Sequence, residues 1–519
     1  MTYNATKKQL FVKEETNEFV AVNHASLLVA ENASFLPFEA SIEWDPDLQA
    51  ADTARTSFTK APKSPGKQTG TVKVSLNLTA SGASATTDPQ FQALLRACGL
   101  RSSDLTKLVC SGALTGTGST NKVIRHGTLF SGSATPSGTA TGMVIGDVHL
   151  PDTPAAGSTI VWLARQEGLG TGVLTTGDIT LTYNGAAAGT IASAAIGSIT
   201  ANAGTGFWPS STPISKLLFD STGLTSAIAV GDILRGATSR ATARVLKAQA
   251  LDAGPAPVAN ASIFVEMISG HFTTAETIEH LTSGDTDIGD LAASGFEVQT
   301  SIPTLTVGLN EDGIAQSLAS CRGTATITLQ GGRPGKIAFE MRGVRNGVSD
   351  TALVDGVTFN QRVPPVFKAA AMTLAPFNSD LTSTDQSPTM NFSPCVSSVE
   401  LALNNNLTLR ECANATEGAI GYVIDDRAPT LKIDPLVTAE ADFGWLTKMQ
   451  AAGLVRGSLN LGTTPPDMFV IGWPAGQVSA AGAQARGKEF ARSVTLDLTC
   501  GVQDSTTGEN EFWLIWRAG

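Results

Sequence analysis

A chain of 519 residues, 42% of them hydrophobic, is long enough for three or four domains and a sizeable core. Its net charge of −11 argues against a protein that grips nucleic acid, because phosphate binding needs clustered Lys and Arg. With only 16% charged and 6% aromatic residues and 52 glycines, the composition favours short strands and turns over long helices.

The N-terminus, "MTYNATKKQLFVKEETNEF", has no apolar core of a signal peptide, and no run of about 18 apolar residues follows, so neither secretion nor membrane anchoring is expected. "ASIEWDPDL" (40–48) begins a strand, a long loop follows, and "TVKVSLNLTA" (71–80) alternates Val72, Val74, Leu76 and Leu78 with polar residues, the period of a half-buried strand. "FQALLRACGL" (91–100) then reads as one short amphipathic helix, with Asp88 before Pro89 as N-cap and Gly99 as a left-handed C-cap.

From 102 to 295 the composition changes. No charged residue occurs from Ile179 to Ser215, and short apolar clusters such as "TIVWLA", "SIFVEM" and "ILRGATSRATARVL" point to an inserted β-rich domain. The earlier pattern resumes at 296, and "TATITLQGGRPGKIAFEMRG" (324–343) reads as a hairpin, with Ile327 and Leu329 on one strand and Ile337, Phe339 and Met341 on the other. Further on, "VELALNNNL" (399–407) and "TLKIDPLVTA" (430–439) match the two early strands at one offset, 399 − 40 = 359 and 430 − 71 = 359. "WLTKMQAAGL" (445–454) matches the helix, with Asp442 and Gly453 in the capping positions. The chain closes on the strands "RSVTLDLTCG" (492–501) and "EFWLIWRAG" (511–519). A unit of strand, long loop, strand, short helix and further strands therefore occurs twice. Such a unit suits a β-sandwich or barrel with one helix packed on it.

No catalytic constellation stands out. "GGRPGKIA" (331–338) lacks the first glycine of a phosphate loop and has Ile337 where Ser or Thr must meet magnesium; it reads as a hairpin turn. The five histidines contain no zinc-hydrolase spacing, and "EWDPD" (43–47) and "IDDR" (424–427) lack the alternating oxygen ligands of a calcium loop. Six scattered cysteines without C-x-x-C spacing are expected to be reduced thiols. No cofactor or metal is expected, and the chain does not read as an enzyme.

Residues 36–100, ending in "LLRACGL", resemble the first tube module of the tail tube (major tail) proteins of long non-contractile tailed bacteriophages, the siphophage type. The resemblance continues through "PTLTVGLNEDGIAQSLASCRGTATITLQGGRPGKIAFEMRGV" (303–344) and "SSVELALNNNLTLRECANATEGAIGYVIDDR" (397–427). It departs at the large insert. The resemblance implies a mainly β fold of two tandem tail-tube β-sandwich/barrel modules, each with one short α-helix, plus an inserted β domain. The boundaries are 1–101 for the N-terminal part of the first module, 102–295 for the decoration-like insert, 296–375 for the rest of that module, and 376–519 for the second.

It also implies a virion structural protein that self-assembles into stacked homotrimeric, pseudo-hexameric rings, the viral tail tube that delivers the genome into the host bacterium. Expected partners are further copies of the chain and the tape measure, tail terminator and distal tail proteins. Double-stranded DNA would pass through the lumen without specific binding, past acidic side chains. Assembly would occur in the host cytoplasm. The expected assembly elements are the N-terminal arm before Ser34 and the loops Asp45 to Gly70 and Asn404 to Pro429, with Asp45, Asp47, Arg55, Phe58, Lys60, Arg410, Glu411, Asp425, Asp426 and Arg427. A second reading is a phage receptor- or carbohydrate-binding β protein whose insert stacks Trp162, Trp208 and Tyr183 on sugars.

Overall fold

The computed structural model describes most of the chain. Outside the described residues lie chiefly 1–7, 16–18, 34–38, 51–62, 80–88, 111–122, 150–158, 166–172, 221–227, 249–261, 377–391, 437–442, 462–467 and 500–510. The fold is mainly β, 67% strand and 8% helical.

Strand β1 (Lys8–Glu14) leads through the single-turn helix α1 (His24–Leu27) into the hairpin β2 (Glu39–Ala50) and β3 (Lys63–Asn77), then helix α2 (Gln92–Ala97). Residues 100–209 hold β4 (Leu100–Cys110), β5 (Val123–Ile124), β6 (Leu129–Thr135), β7 (Thr139–Ile145), β8 (Val148–His149), β9 (Thr159–Arg165), β10 (Val173–Tyr183), β11 (Ala186–Ile191) and β12 (Ile196–Pro209). Six strands follow: β13 (Ile214–Phe219), β14 (Ile233–Gly236), β15 (Thr242–Ala248), β16 (Ser262–Ser269), β17 (Ile278–His280) and β18 (Leu291–Thr300). Then come β19 (Leu305–Glu311), β20 (Ile314–Gln330), β21 (Lys336–Asp350), β22 (Ala371–Pro376), β23 (Val396–Ala402), β24 (Asn405–Glu411), β25 (Ala419–Arg427) and β26 (Thr430–Pro435). Helix α3 (Trp445–Gln450) precedes β27 (Leu454–Leu461), β28 (Met468–Arg486), β29 (Glu489–Thr499) and β30 (Trp513–Arg517).

The antiparallel pairings contain two six-strand runs of the same order. One is β2-β3-β21-β20-β19-β1. The other is β23-β26-β29-β28-β27-β22. The agreement extends to irregularities: the β19–β20 register slips between Leu305 and Val307, and the β27–β28 register between Val455 and Gly457. The runs join where Thr326–Gln330 of β20 pairs with Ser398–Ala402 of β23.

Period-two alternation produces these strands. Val72, Val74 and Leu76 on β3, Ile337, Phe339 and Met341 on β21, and Val494, Leu496 and Leu498 on β29 are all buried on the same side of the sheet. Both short helices close that side: Leu94 and Leu95 of α2 and Trp445 of α3 belong to one hydrophobic core that spans both runs. Helices of six residues are too short to persist alone in water, so this burial holds them. Gly99 ends α2 at φ 84, whereas the left-handed residue after α3 is Ala452 at φ 52, one position before the expected Gly453. Asp88 and Asp442 lie outside the described residues.

Residues 102–295 split between two sheets. β12 pairs with β30 and with β4, which carries β9, β7, β6, β10 and β11 onward in the large sheet. β13–β18 form a six-stranded sheet with its own core around Phe219, Val245 and Val265.

Helix α1 docks through His24, whose ring nitrogens lie 2.7 Å from Ser317 Oγ and 2.9 Å from Ser349 Oγ. Burial holds this imidazole below its usual value of 6.5, so the folded protein keeps it neutral while the unfolded chain protonates it near 6.5. Its contribution to stability is therefore full above 6.5 and declines as the pH falls toward the lower folded value. The midpoint of urea unfolding should fall between pH 7.5 and 5.5, and His24→Gln should flatten that part of the profile.

Candidate assembly interface

The segments expected as long loops are largely strand. Asp45 and Asp47 belong to β2, which stays paired with β3 as far as Ala50↔Lys63. Asn404 to Pro429 likewise contains the hairpin β24–β25, paired from Asn405↔Arg427 to Glu411↔Ala419. The cause is residual alternation: Leu407, Leu409 and Tyr422 are half-buried against exposed Thr408 and Arg410, enough to support a strand laid on another surface. Arg55, Phe58 and Lys60 lie outside the described residues.

The second hairpin bends away from its sheet at Asn404, a left-handed residue at φ 50 whose amide donates to Ala428 O and Thr430 Oγ1, both at 3.0 Å. It folds onto β20 and β21, where Leu409 packs against Ala319 and Val344. Several expected assembly residues are thereby engaged within the chain. Glu411 pairs with Lys67 at 2.6 Å, and Arg427 with Glu511 at 3.1 Å in a nearly buried setting. Asp425 accepts from Thr408, and Asp426 from the backbone N–H of Arg427.

Residues without a motif signature fasten this arrangement. Glu15 is buried; it accepts hydrogen bonds from Thr304 Oγ1 at 2.6 Å, Thr306 Oγ1 at 2.8 Å and Ser320 N at 2.7 Å. The two threonine hydroxyls in turn accept from the N–H groups of Phe19 and Val22, which ties down the N-terminal arm. The Phe19 ring lies between two guanidiniums, 5.2 Å from Arg322 and 5.5 Å from Arg410. The hairpin meets it at Gly421, where a Cβ would come within 2.7 Å of both Phe19 and Ser320.

The opposite side of the eight strands from β2 to β28 is polar. Glu43 pairs with Lys73 at 2.8 Å, Glu400 with Lys432 at 2.8 Å, and Glu340 with Arg342 at 3.3 Å, all substantially exposed. Thr324, Thr326 and Thr328 stand between them. Two edges along these strands are unpaired among the described residues. β2 pairs with β3 alone, and β28 beyond Gln477 pairs with β29 alone.

No protein-family model matches the chain, and a search of curated proteins returns no match. The geometry therefore carries the functional argument alone. The side chains expected to stack on sugar do not present a platform. Trp162 and Trp208 are buried in a cluster with Leu105, Val470 and Trp513, where burial of apolar area is their role, and Tyr183's side chain lies outside the described set. Burial raises the Cys110 thiol to about 11 and pushes the Cys98 and Cys321 thiols up as well, which suppresses thiolate formation. Among the described residues no group of His, Cys, Asp and Glu could hold a metal ion, and no helix is long and apolar enough to cross a membrane.

Proposed function

We propose that this chain is a phage tail-tube subunit, whose copies close into rings of three and stack into a channel for double-stranded DNA. The supporting observation is the six-strand order written twice in one chain, with the runs joined edge to edge by β20 and β23. Two equivalent modules per chain, each meeting the next through the same kind of contact, suit a closed ring built by heterologous association. In this reading 1–101 and the segment from 296 to β21 make one module, 102–295 is an insert between α2 and β19, and the second module begins at β22 (Ala371–Pro376), ahead of the expected boundary at 376, because β22 pairs with β27. The further partners are the tape measure, tail terminator and distal tail proteins, and the site of action is the virion tail after assembly in the bacterial cytoplasm.

The polar face is the channel wall in this proposal. Its acids are compensated pairwise by Lys73, Lys432 and Arg342, so its resistance to DNA sticking comes from the lack of a net basic stripe more than from acidic repulsion. Negative-stain microscopy of the concentrated protein should show rings with a central hole and stacks of them. A chain that sediments as a monomer at every concentration, with no rings, would sink the proposal.

A further inference from the structure

The internal junction specifies the contact between copies. On one flank of β20, Leu305–Glu311 of β19 covers the first half and β23 covers Thr326–Gln330. On the matching flank of β28, β27 covers the first half through Gln477, the Val478 N–H donates to Gly453 O at 3.3 Å, and residues 479–486 pair with no strand there among the described residues. β23 lies between β26 and β20, whereas its counterpart β2 pairs among the described residues with β3 alone, its Ala40 carbonyl accepting from Lys8 Nζ at 2.9 Å. One chain thus ends in a half-edge that lacks its β23, and begins with a strand that lacks its β20.

The shared pairings set the register. Val74 pairs with Ala40 and Phe339 in the first run, as Ile433 pairs with Val399 and Val494 in the second. Ala338 beside Phe339 pairs with Thr326, and Ser493 beside Val494 pairs with Gly482. Thr326 thus corresponds to Gly482, and the junction pairs Thr326↔Ala402, Thr328↔Glu400 and Gln330↔Ser398 can be carried across.

We infer that β2 of one copy adds antiparallel to the free half of β28 of a second copy, with Glu43 opposite Gly482, Ser41 opposite Gln484 and Glu39 opposite Arg486. The inference rests on the tube reading, for which it names the contact. Two features of the edges support it independently of the junction. The half-edge sequence "VSAAGAQAR" (478–486) is dominated by small residues that permit close strand approach, and the register sets an acid opposite a base at Glu39 and Arg486. Exposed Glu43 and Asp45 with Pro46 on β2 discourage indiscriminate edge pairing, which leaves the matched edge as the favoured partner.

The full-length double variant Ser41→Cys/Gln484→Cys tests this pairing. Under mild oxidation it should give a ladder of disulfide-linked species ending at a closed trimer, while each single-cysteine variant shows only the background of the native cysteines. Ser41→Cys/Ala485→Cys, which sets the two thiols on opposite faces of the sheet, should stay at that background. Rings in microscopy without the ladder would overturn the pairing and leave the tube reading standing. A ladder without rings or tubes would retain the pairing and overturn the tube, and the lack of both would overturn both.

Discussion

Trp473→Ala is expected to cost about 3–5 kcal/mol of stability, seen as a lower urea midpoint at an unchanged slope. Trp473 is fully buried on β28, and its ring occupies the space over Gly457, where a Cβ would come within 2.4 Å of it. Leu374 borders the same space, its Cδ2 2.7 Å from that Cβ position, and the ladders of β22, β27 and β28 limit how far the walls can close on an emptied site. The indole N–H has no hydrogen-bond partner among the described residues. Trp473→Phe should therefore cost much less than alanine: it keeps most of the apolar contact and removes a buried, unpartnered donor, which is itself unfavourable by about 1–3 kcal/mol. Equal losses from the two substitutions would show that packing against Gly457 is not what the residue provides.

Glu15→Ala should destabilise by about 3 kcal/mol, because it leaves the Ser320 N–H and the hydroxyls of Thr304 and Thr306 buried without an acceptor. Glu15→Gln keeps one carbonyl oxygen and should lose less. The effect should also have a location. Since Phe19 and Val22 are held through the same two threonines, amide exchange at residues 19–24 should rise in the alanine variant well before that of β3 or β21. Uniform exchange across all three segments would rule out a specific role in fastening the arm.

The strands and helices were legible wherever one face had to be apolar. Val72, Val74 and Leu76, the hairpin residues Ile327, Leu329, Ile337, Phe339 and Met341, and Val494, Leu496 and Leu498 all carry the period of two and are all buried. The helix pair was legible from its amphipathic spacing and its equal flanking strands, with Phe91 and Trp445 both in the core. Partners remote in sequence were not legible. Nothing local in "EETN" marks Glu15 as the acceptor for Thr304, 289 residues away, and nothing in 204–207 announces β30 as its neighbour. The hairpin β24–β25 reads as a loop in the sequence because its alternation is weak, and nothing about Asn404 signals that a single left-handed residue turns that hairpin onto the preceding run.

β20 is bonded along its length to β21 and, on its other flank, to β19 and then β23. Severing the chain between the runs would strip β23 from that flank and the flank from β23, leaving each half with a raw strand and part of a core that Leu329 and Val399 help to fill together. The repeated six-strand order is thus smaller than the core it helps to build.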